Sequence, residues 1–254
     1  MKRLLSITLA VCITAACNSG TELVDNPEEY VSTLVGSLSH HGFSTGNTYP
    51  AIALPWGMNF WTPVTGKMGD GWAYRYDHNR IRGFKQTHQP SPWINDYGQF
   101  AVMPVRDGSA VDQNKRASWF SHKSETASPY YYKVYLADHD ITAEITPADR
   151  AASMRFTYPA GETSAVVIDA YDGGSYIRIL PELQAVVGYT TKNCSGVPEN
   201  FRNWFVIRFD KAFESMMLYD GPEKGIGEAL EFEGEHALAS VGFRTRRNET
   251  VNVR

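Results

Sequence analysis

Two short segments of the sequence place aromatic rings beside polar side chains. Residues 72–76 read WAYRY, and residues 92–97 read PWINDY. A sugar presents an apolar C–H face and a rim of hydroxyls, so aromatic rings can cover the face while Asp, Asn and His side chains bind the hydroxyls. Trp72 and Trp93 are therefore candidate sugar contacts. The alternative is that both rings fill the core at the ends of strands, and both interpretations stay open at this level.

Carboxylates in the same region could serve a glycan site in two ways. Glycoside hydrolysis needs a pair of carboxylates, one of them a general acid. Asp70, Asp77 and Asp96 lie near the aromatic segments, but their spacing indicates no pair. Asp96 is the best candidate among them for accepting a hydrogen bond from a ligand hydroxyl.

Other kinds of site lack a motif. His40, His41, His78 and His88 have neither helical i, i+4 spacing nor a Cys or Glu partner nearby, so we interpret them as loop or core residues rather than metal ligands. The sequence contains no G-x-S-x-G, P-loop, H-E-x-x-H or G-x-G-x-x-G motif. It therefore predicts no catalytic residue and no metal site.

The N-terminus has the features of an export signal. Residues 1–16 combine Lys2 and Arg3 with an apolar run that is too short to span a bilayer. Small residues precede Cys17, as in a bacterial lipobox, which predicts lipidation of Cys17 and a membrane-anchored lipoprotein in the periplasm or at the cell surface. The alternative is a plain secretory signal that is cleaved near Ala16. Residues 17–26 then form a polar tether.

Composition places the rest of the chain among ordinary globular proteins. The 254 residues carry a formal net charge of −4, which argues against a nucleic-acid partner. Hydrophobic residues make up 43% of the chain, too many for a disordered protein. Cys12 would leave with the signal and Cys17 would carry the lipid, so Cys194 has no disulfide partner and is interpreted as structural.

The elements that must position these side chains are strands. Apolar and polar residues alternate in residues 141–146, 154–158 and 205–210, and further apolar runs cover 131–136, 165–168, 176–180, 185–190 and 238–245. Turn signals separate the runs, among them Asp172-Gly173-Gly174. Asn26 and Pro27 predict one or two helical turns. Residues 36–104 alternate poorly and predict long irregular loops. The pattern predicts one all-β domain over 27–254, a large antiparallel β-sandwich with long loops.

The order of several motifs resembles one family. Residues 30–104 are similar to the start of glycoside hydrolase family 92, the exported calcium-dependent exo-α-mannosidases. The matching pieces in this region are NTYPA at 47–51, LPWGM at 54–58, GWAYRY at 71–76, IRGFKQTH at 81–88 and DYG at 96–98. Later pieces are SWF at 118–120 with His122, ETASPYY at 125–131, ITAEIT at 141–146 and RFTYP at 155–159.

The resemblance implies a two-part protein of which this chain is one part. In the family, an N-terminal sandwich of the supersandwich, galactose-mutarotase-like kind packs on a C-terminal (α/α)₆ barrel. That barrel supplies most of the acid, base and calcium ligands, so we expect no cofactor in this chain and an incomplete C-terminal end. The expected partners are mannose-containing glycans and a barrel, in cis or as a separate chain.

The resemblance also selects the candidate sugar contacts and leaves one alternative function. The contacts are Trp72, His88, Trp93 and Asp96. Residues 89–95 depart from the family pattern, which leaves the linkage preference open. The alternative function is a stand-alone carbohydrate-binding lipoprotein without hydrolase activity.

Overall fold

The computed structural model describes residues 23–38, 48–67, 73–88, 99–193 and 195–254. The chain divides into two compact units, 1–30 and 31–254. In the described part of the first unit, residues 23–30, a 3-10 turn covers Pro27–Tyr30, and the amide of Glu29 donates to the carbonyl of Asn26 at 3.0 Å. This turn confirms the short helical segment that Asn26 and Pro27 predict.

The second unit is built from strands, joined by 3-10 turns at His122–Ser124 and Pro181–Leu183 in its described part. A nine-stranded antiparallel sheet contains β1 (Phe60–Val64), β3 (Gly83–Thr87), β4 (Ala101–Val105), β10 (Gly161–Leu180), β11 (Ala185–Thr190), β12 (Asn203–Arg208), β13 (Ser215–Asp220), β14 (Lys224–Gly225) and β15 (Glu231–Thr245). A five-stranded antiparallel sheet contains β6 (Thr126–Ser128), β7 (Tyr131–Leu136), β8 (Ile141–Pro147), β9 (Ala152–Tyr158) and β16 (Glu249–Val253). A small two-stranded sheet pairs β2 (Arg80–Ile81) with β5 (Ser118–Trp119).

The five-stranded sheet follows the alternation of the sequence. Alternate residues are buried in β7 from Tyr132, in β8 from Ile141 to Ile145, and in β9 from Ala152. These side chains join one core cluster with residues of the large sheet, among them Val166 and Val241. The two sheets therefore enclose a common apolar core, which confirms the all-β sandwich.

The large sheet corrects the expectation of irregular loops over 36–104. That region contributes β1, β3 and β4. All five residues of β4 are buried, and so are four of the five residues in each of β1 and β3. Strands covered on both faces lose the alternation that identifies a half-exposed strand. This burial explains why the sequence pattern missed them.

A second correction concerns residues 172–174, which the sequence predicts as a turn between two strands. They lie instead inside the 20-residue strand β10. Its register with β15 shifts between Asp169 and Asp172 and again before Ser175, so the chain bulges without reversing. Gly173 and Gly174 have φ values of 93° and 103°, a region open to glycine. The first part of β10 pairs with β4 and the second with β11, so the bulge joins two parts of one sheet.

A buried ion cluster lies at this bulge. Arg116 donates to Asp169 at 2.7 Å and also to the carbonyls of Arg82 and Val111 at 2.9 and 2.8 Å. His236 donates from Nε2 to the other Asp169 oxygen at 2.7 Å. Burial opposes ionisation of Asp169, but the charge of Arg116 and the hydrogen bond from His236 outweigh it and hold the pKa of Asp169 well below its ordinary value. The cluster thus fixes the chain where the strand is interrupted.

Candidate functional site

The predicted sugar contacts fall on two segments at the edge of what the structure describes. Trp72, Trp93 and Asp96 lie outside the described residues, as does the predicted lipidation site Cys17. His88 is described. It follows the last residue of β3 and is half-buried. The other three contacts lie in segments 68–72 and 89–98. The structure describes the residues that flank these two segments.

Segment 89–98 starts and ends on adjacent strands of the large sheet. Before the segment, Thr87 ends β3 and pairs with Phe60 of β1. After the segment, the carbonyl of Phe100 accepts a hydrogen bond of 3.2 Å from the amide of Gln86 in β3. The ammonium of Lys85 donates to Oε1 of Gln99 at 2.7 Å, and both side chains are buried. A buried polar pair thus lies beside the segment that carries Trp93 and Asp96.

The described residues on either side of segment 68–72 are joined by the main chain, and the residue that follows them is held by its side chain. The amide of Thr65 donates to the carbonyl of Ala73 at 2.8 Å. Tyr74 is buried, and its hydroxyl lies 3.1 Å from both carboxylate oxygens of Glu125. The residue two positions after Trp72 is therefore held rigidly against the sandwich.

Glu125 is the centre of a polar cluster that was not predicted from the sequence. Its carboxylate accepts from Tyr132 at 2.6 Å, and Nδ1 of His122 lies 2.6 Å away. Burial, reinforced by the Glu125 charge, raises the pKa of Tyr74 and of Tyr132 far above the ordinary tyrosine value. Both tyrosines therefore stay protonated donors. The only signal in the sequence was that Glu125 and His122 belong to a segment resembling the family.

An exposed stack adjoins this cluster. The ring of His122 stacks on Tyr76 with centroids 4.0 Å apart, and its Nε2 lies 2.6 Å from the Tyr76 carbonyl. Tyr76 is among the exposed large side chains. An aromatic surface therefore lies close to the end of segment 68–72.

The two segments are based at opposite ends of the same strand pair. Phe60 and Thr87 mark one end of the β1–β3 ladder, and Val64 and Gly83 mark the other. Four steps along a strand separate these ends by roughly 13 Å. The structure thus places His88 at one end and the base of the Trp72 segment at the other, and convergence of the four residues in one cleft stays a prediction.

Of the three loop carboxylates that the sequence offers, the structure describes only Asp77. Asp77 forms an exposed ion pair with Arg75 at 2.7 Å, as expected of a loop carboxylate. In the described ranges, no group of three or more His, Cys, Asp and Glu side chains is placed to hold a metal ion. Those ranges also include no helix with the length and apolarity of a membrane span.

Comparison with solved structures defines the class of protein. The family GH92 inverting mannosidase BT2199 from Bacteroides thetaiotaomicron VPI-5482 superposes with a TM-score of 0.84 at 41% identity, covering 89% of this chain and 30% of the mannosidase. The family GH92 α-mannosidase BT3965 from Bacteroides thetaiotaomicron superposes with a TM-score of 0.77 at 25% identity, covering 91% and 32%. The fold is therefore that of a sandwich domain found in α-mannosidases.

The sequence identifies the family and the part of it that the chain represents. The model of the glycosyl hydrolase family 92 N-terminal domain matches residues 30–254. The chain belongs to glycoside hydrolase family 92, as its N-terminal domain. It spans less than a third of the length of the mannosidases it matches. No curated protein matches the sequence.

Proposed function

We propose that this domain contributes to mannoside binding at an interface with a catalytic (α/α)₆ barrel, and that the barrel performs the hydrolysis. The observation that carries the proposal is the superposition at 41% identity on 30% of an inverting mannosidase. A domain of that share has a role within a longer enzyme or enzyme assembly. Calcium would belong to the barrel.

Features of the sandwich support a binding role. Segment 89–98 is based on the buried Lys85–Gln99 pair, and the other segment is based on Tyr74, held by Glu125. Rigid bases of this kind position loop residues for recognition at low entropic cost. The carbohydrate contacts proposed for these segments are Trp72, His88, Trp93 and Asp96.

The isolated chain should bind mannosides weakly. Because the barrel would supply half of the contacts, we expect dissociation constants of about 1 mM or weaker, which corresponds to about −4 kcal/mol. Titration of the ¹⁵N-labelled chain with α-mannobiose, followed by NMR, measures this binding. Trp93→Ala should abolish the shifts without changing the fold.

The matched control is Trp119→Ala, since Trp119 is a partly exposed tryptophan of the two-stranded sheet and belongs to neither segment. This variant should bind as the parent chain does. Micromolar binding by the isolated chain would contradict the proposal and favour a stand-alone carbohydrate-binding lipoprotein. If Trp93→Ala and Trp119→Ala lose binding equally, the effect is not specific to Trp93, and the assignment of Trp93 as a sugar contact is wrong.

We also propose that the protein is exported and anchored through a lipid on Cys17. A thiol is required for the thioether bond to the diacylglyceryl group, so Cys17→Ser should abolish lipid attachment and release the protein from membranes. Labelling with an alkyne fatty acid in a bacterial host measures attachment, and Cys12→Ser is the matched control. Label retained in Cys17→Ser would contradict the assignment.

A further inference from the structure

A cleft of about 690 Å³ lies between the bulge of β10 and the connection from β11 to β12. One wall includes the glycines at the bulge and opposite it, Gly173, Gly174 and Gly234. The other wall includes residues 195–199 and Arg202. The volume is in the range of small-molecule sites. All of the lining residues lie between positions 173 and 234, so the cleft is formed by the interior of the sequence.

Hydrogen bonds hold the two walls of the cleft in place. The amide of Thr191 donates to the carbonyl of Gly174 at 2.9 Å, and the Thr191 hydroxyl lies 2.8 Å from the same oxygen. A Cβ on Gly174 would lie 2.8 Å from Oγ1 of Thr191, so this contact requires glycine. The amide of Ser195 donates to Oδ1 of Asn193 at 2.8 Å. The cleft is therefore preformed, which lowers the entropic cost of binding a ligand.

Tyr189 lines the cleft and is held by its neighbours. Its ring stacks on Tyr176 with centroids 5.6 Å apart and meets Trp204 at 4.8 Å. The Tyr189 hydroxyl donates to Oε1 of Glu233. The guanidinium of Arg202 lies 5.0 Å from the centroid of the Tyr189 ring. A carboxylate and a guanidinium thus meet at one aromatic ring inside the cleft.

The polar groups of the cleft match a neutral ligand that carries several hydroxyls. Glu233 and the exposed Glu199 offer carboxylates that accept hydrogen bonds, whereas Arg202 only donates them. A cation would meet Arg202, and an anion would meet both carboxylates. A hydroxyl both donates and accepts, so it can satisfy either kind of group. Val197 and Pro198 add apolar surface, which suits the C–H face of a sugar ring.

The cleft lies next to the strand end that carries His88. Asn203 is the first residue of β12 and pairs with Thr190, which immediately precedes the wall of the cleft. Nδ2 of Asn203 donates to Oε1 of Gln86 at 3.3 Å, and Gln86 lies two residues before His88. One end of the cleft and the start of segment 89–98 are therefore close together.

We propose that this cleft is a second carbohydrate subsite, which binds one neutral pyranose residue of a glycan whose terminal mannose contacts segment 89–98. Glu199 and Glu233 accept hydrogen bonds from the hydroxyls of this residue, and Arg202 donates to one of them. The proposal rests on the proposed mannoside binding for the neighbouring residue of the glycan. The groups of the cleft are distinct from the four mannose contacts proposed above, so the two can be tested separately.

Titration of the ¹⁵N-labelled full chain with α-mannotriose, followed by NMR, tests the proposal. The amides of Gly196 and Glu199 should shift saturably, because both residues line the cleft. Glu199→Ala should lower the affinity about tenfold or more, as expected when a charged hydrogen-bonding group is lost. The matched control is Glu223→Ala, which removes an exposed carboxylate from the turn between β13 and β14, outside the cleft lining. This control should bind as the parent chain does.

Shifts confined to the amides that flank segment 89–98, with equal affinities of the two glutamate variants, would overturn the subsite and leave the proposed function intact. Absence of shifts at the cleft amides overturns it as well, and so does equal weakening by Glu199→Ala and Glu223→Ala. Cleft shifts that persist in Trp93→Ala and disappear in Glu199→Ala would support the subsite and contradict the Trp93 contact instead.

Discussion

Replacing Arg116 with Met lowers the free energy of unfolding by about 3–5 kcal/mol, the loss expected when one partner of a buried ion pair is removed. The substitution leaves the Asp169 carboxylate buried with His236 as its remaining side-chain donor. It also removes the donors to the carbonyls of Arg82 and Val111. Equilibrium unfolding in urea measures the change.

The matched control is Arg80→Met, which removes an exposed ion pair with Asp138. Solvent screening limits that loss to about 1 kcal/mol or less. Because the folded-state pKa of Asp169 is depressed, the contribution of Arg116 is complete above about pH 4, where the carboxyl is ionised in the unfolded chain. The contribution declines as the pH falls through the folded-state pKa. Equal destabilisation by the two variants would contradict the structural role of the cluster.

The strands with one exposed face could be predicted from the sequence. β8 buries Ile141, Ala143 and Ile145 and turns the intervening residues outwards, so the period of two is visible in the sequence. β12 shows the same pattern at Phe205 and Ile207. For such strands, the alternation of apolar and polar residues in the sequence matches the burial that tertiary packing imposes.

Other features depend on contacts between distant residues. β4 is buried throughout, so its sequence has no alternating signal. Glycines at 173 and 174 are typical of turns, yet pairing of β10 with β15 on both sides of them keeps the strand continuous. Arg116 and Asp169 are 53 residues apart, and Tyr74 and Glu125 are 51 apart. No spacing rule links residues at such separations.

The candidate site has features that the sequence shows and features that depend on contacts between distant residues. The aromatic and polar residues of segments 68–72 and 89–98 are visible as a composition. The anchors beneath them, Glu125 for one segment and Lys85 with Gln99 for the other, are visible only in the fold. Sequence reasoning therefore identified candidate contacts but not the framework that would hold them.

Joining residues 27–254 to the remaining part of the mannosidase BT2199 should produce an enzyme that releases mannose. The proposal assigns the acid and base to the barrel, so the isolated chain should show no turnover of α-mannobiose. The 41% identity to that mannosidase favours a compatible interface in the chimera. Coupled detection of released mannose measures both rates.

Within the chimera, Trp93→Ala should lower kcat/KM by about ten- to hundredfold. Burial of one aromatic side chain is worth about 1.5–3 kcal/mol, and each 1.4 kcal/mol corresponds to about tenfold. Trp119→Ala is the control and should leave the rate unchanged, since Trp119 lies on the two-stranded sheet. If the two variants hydrolyse the substrate equally fast, segment 89–98 does not contact the sugar through Trp93. If the isolated chain releases mannose and loses that activity on His88→Ala, the sandwich itself is catalytic and the division of roles between sandwich and barrel is wrong.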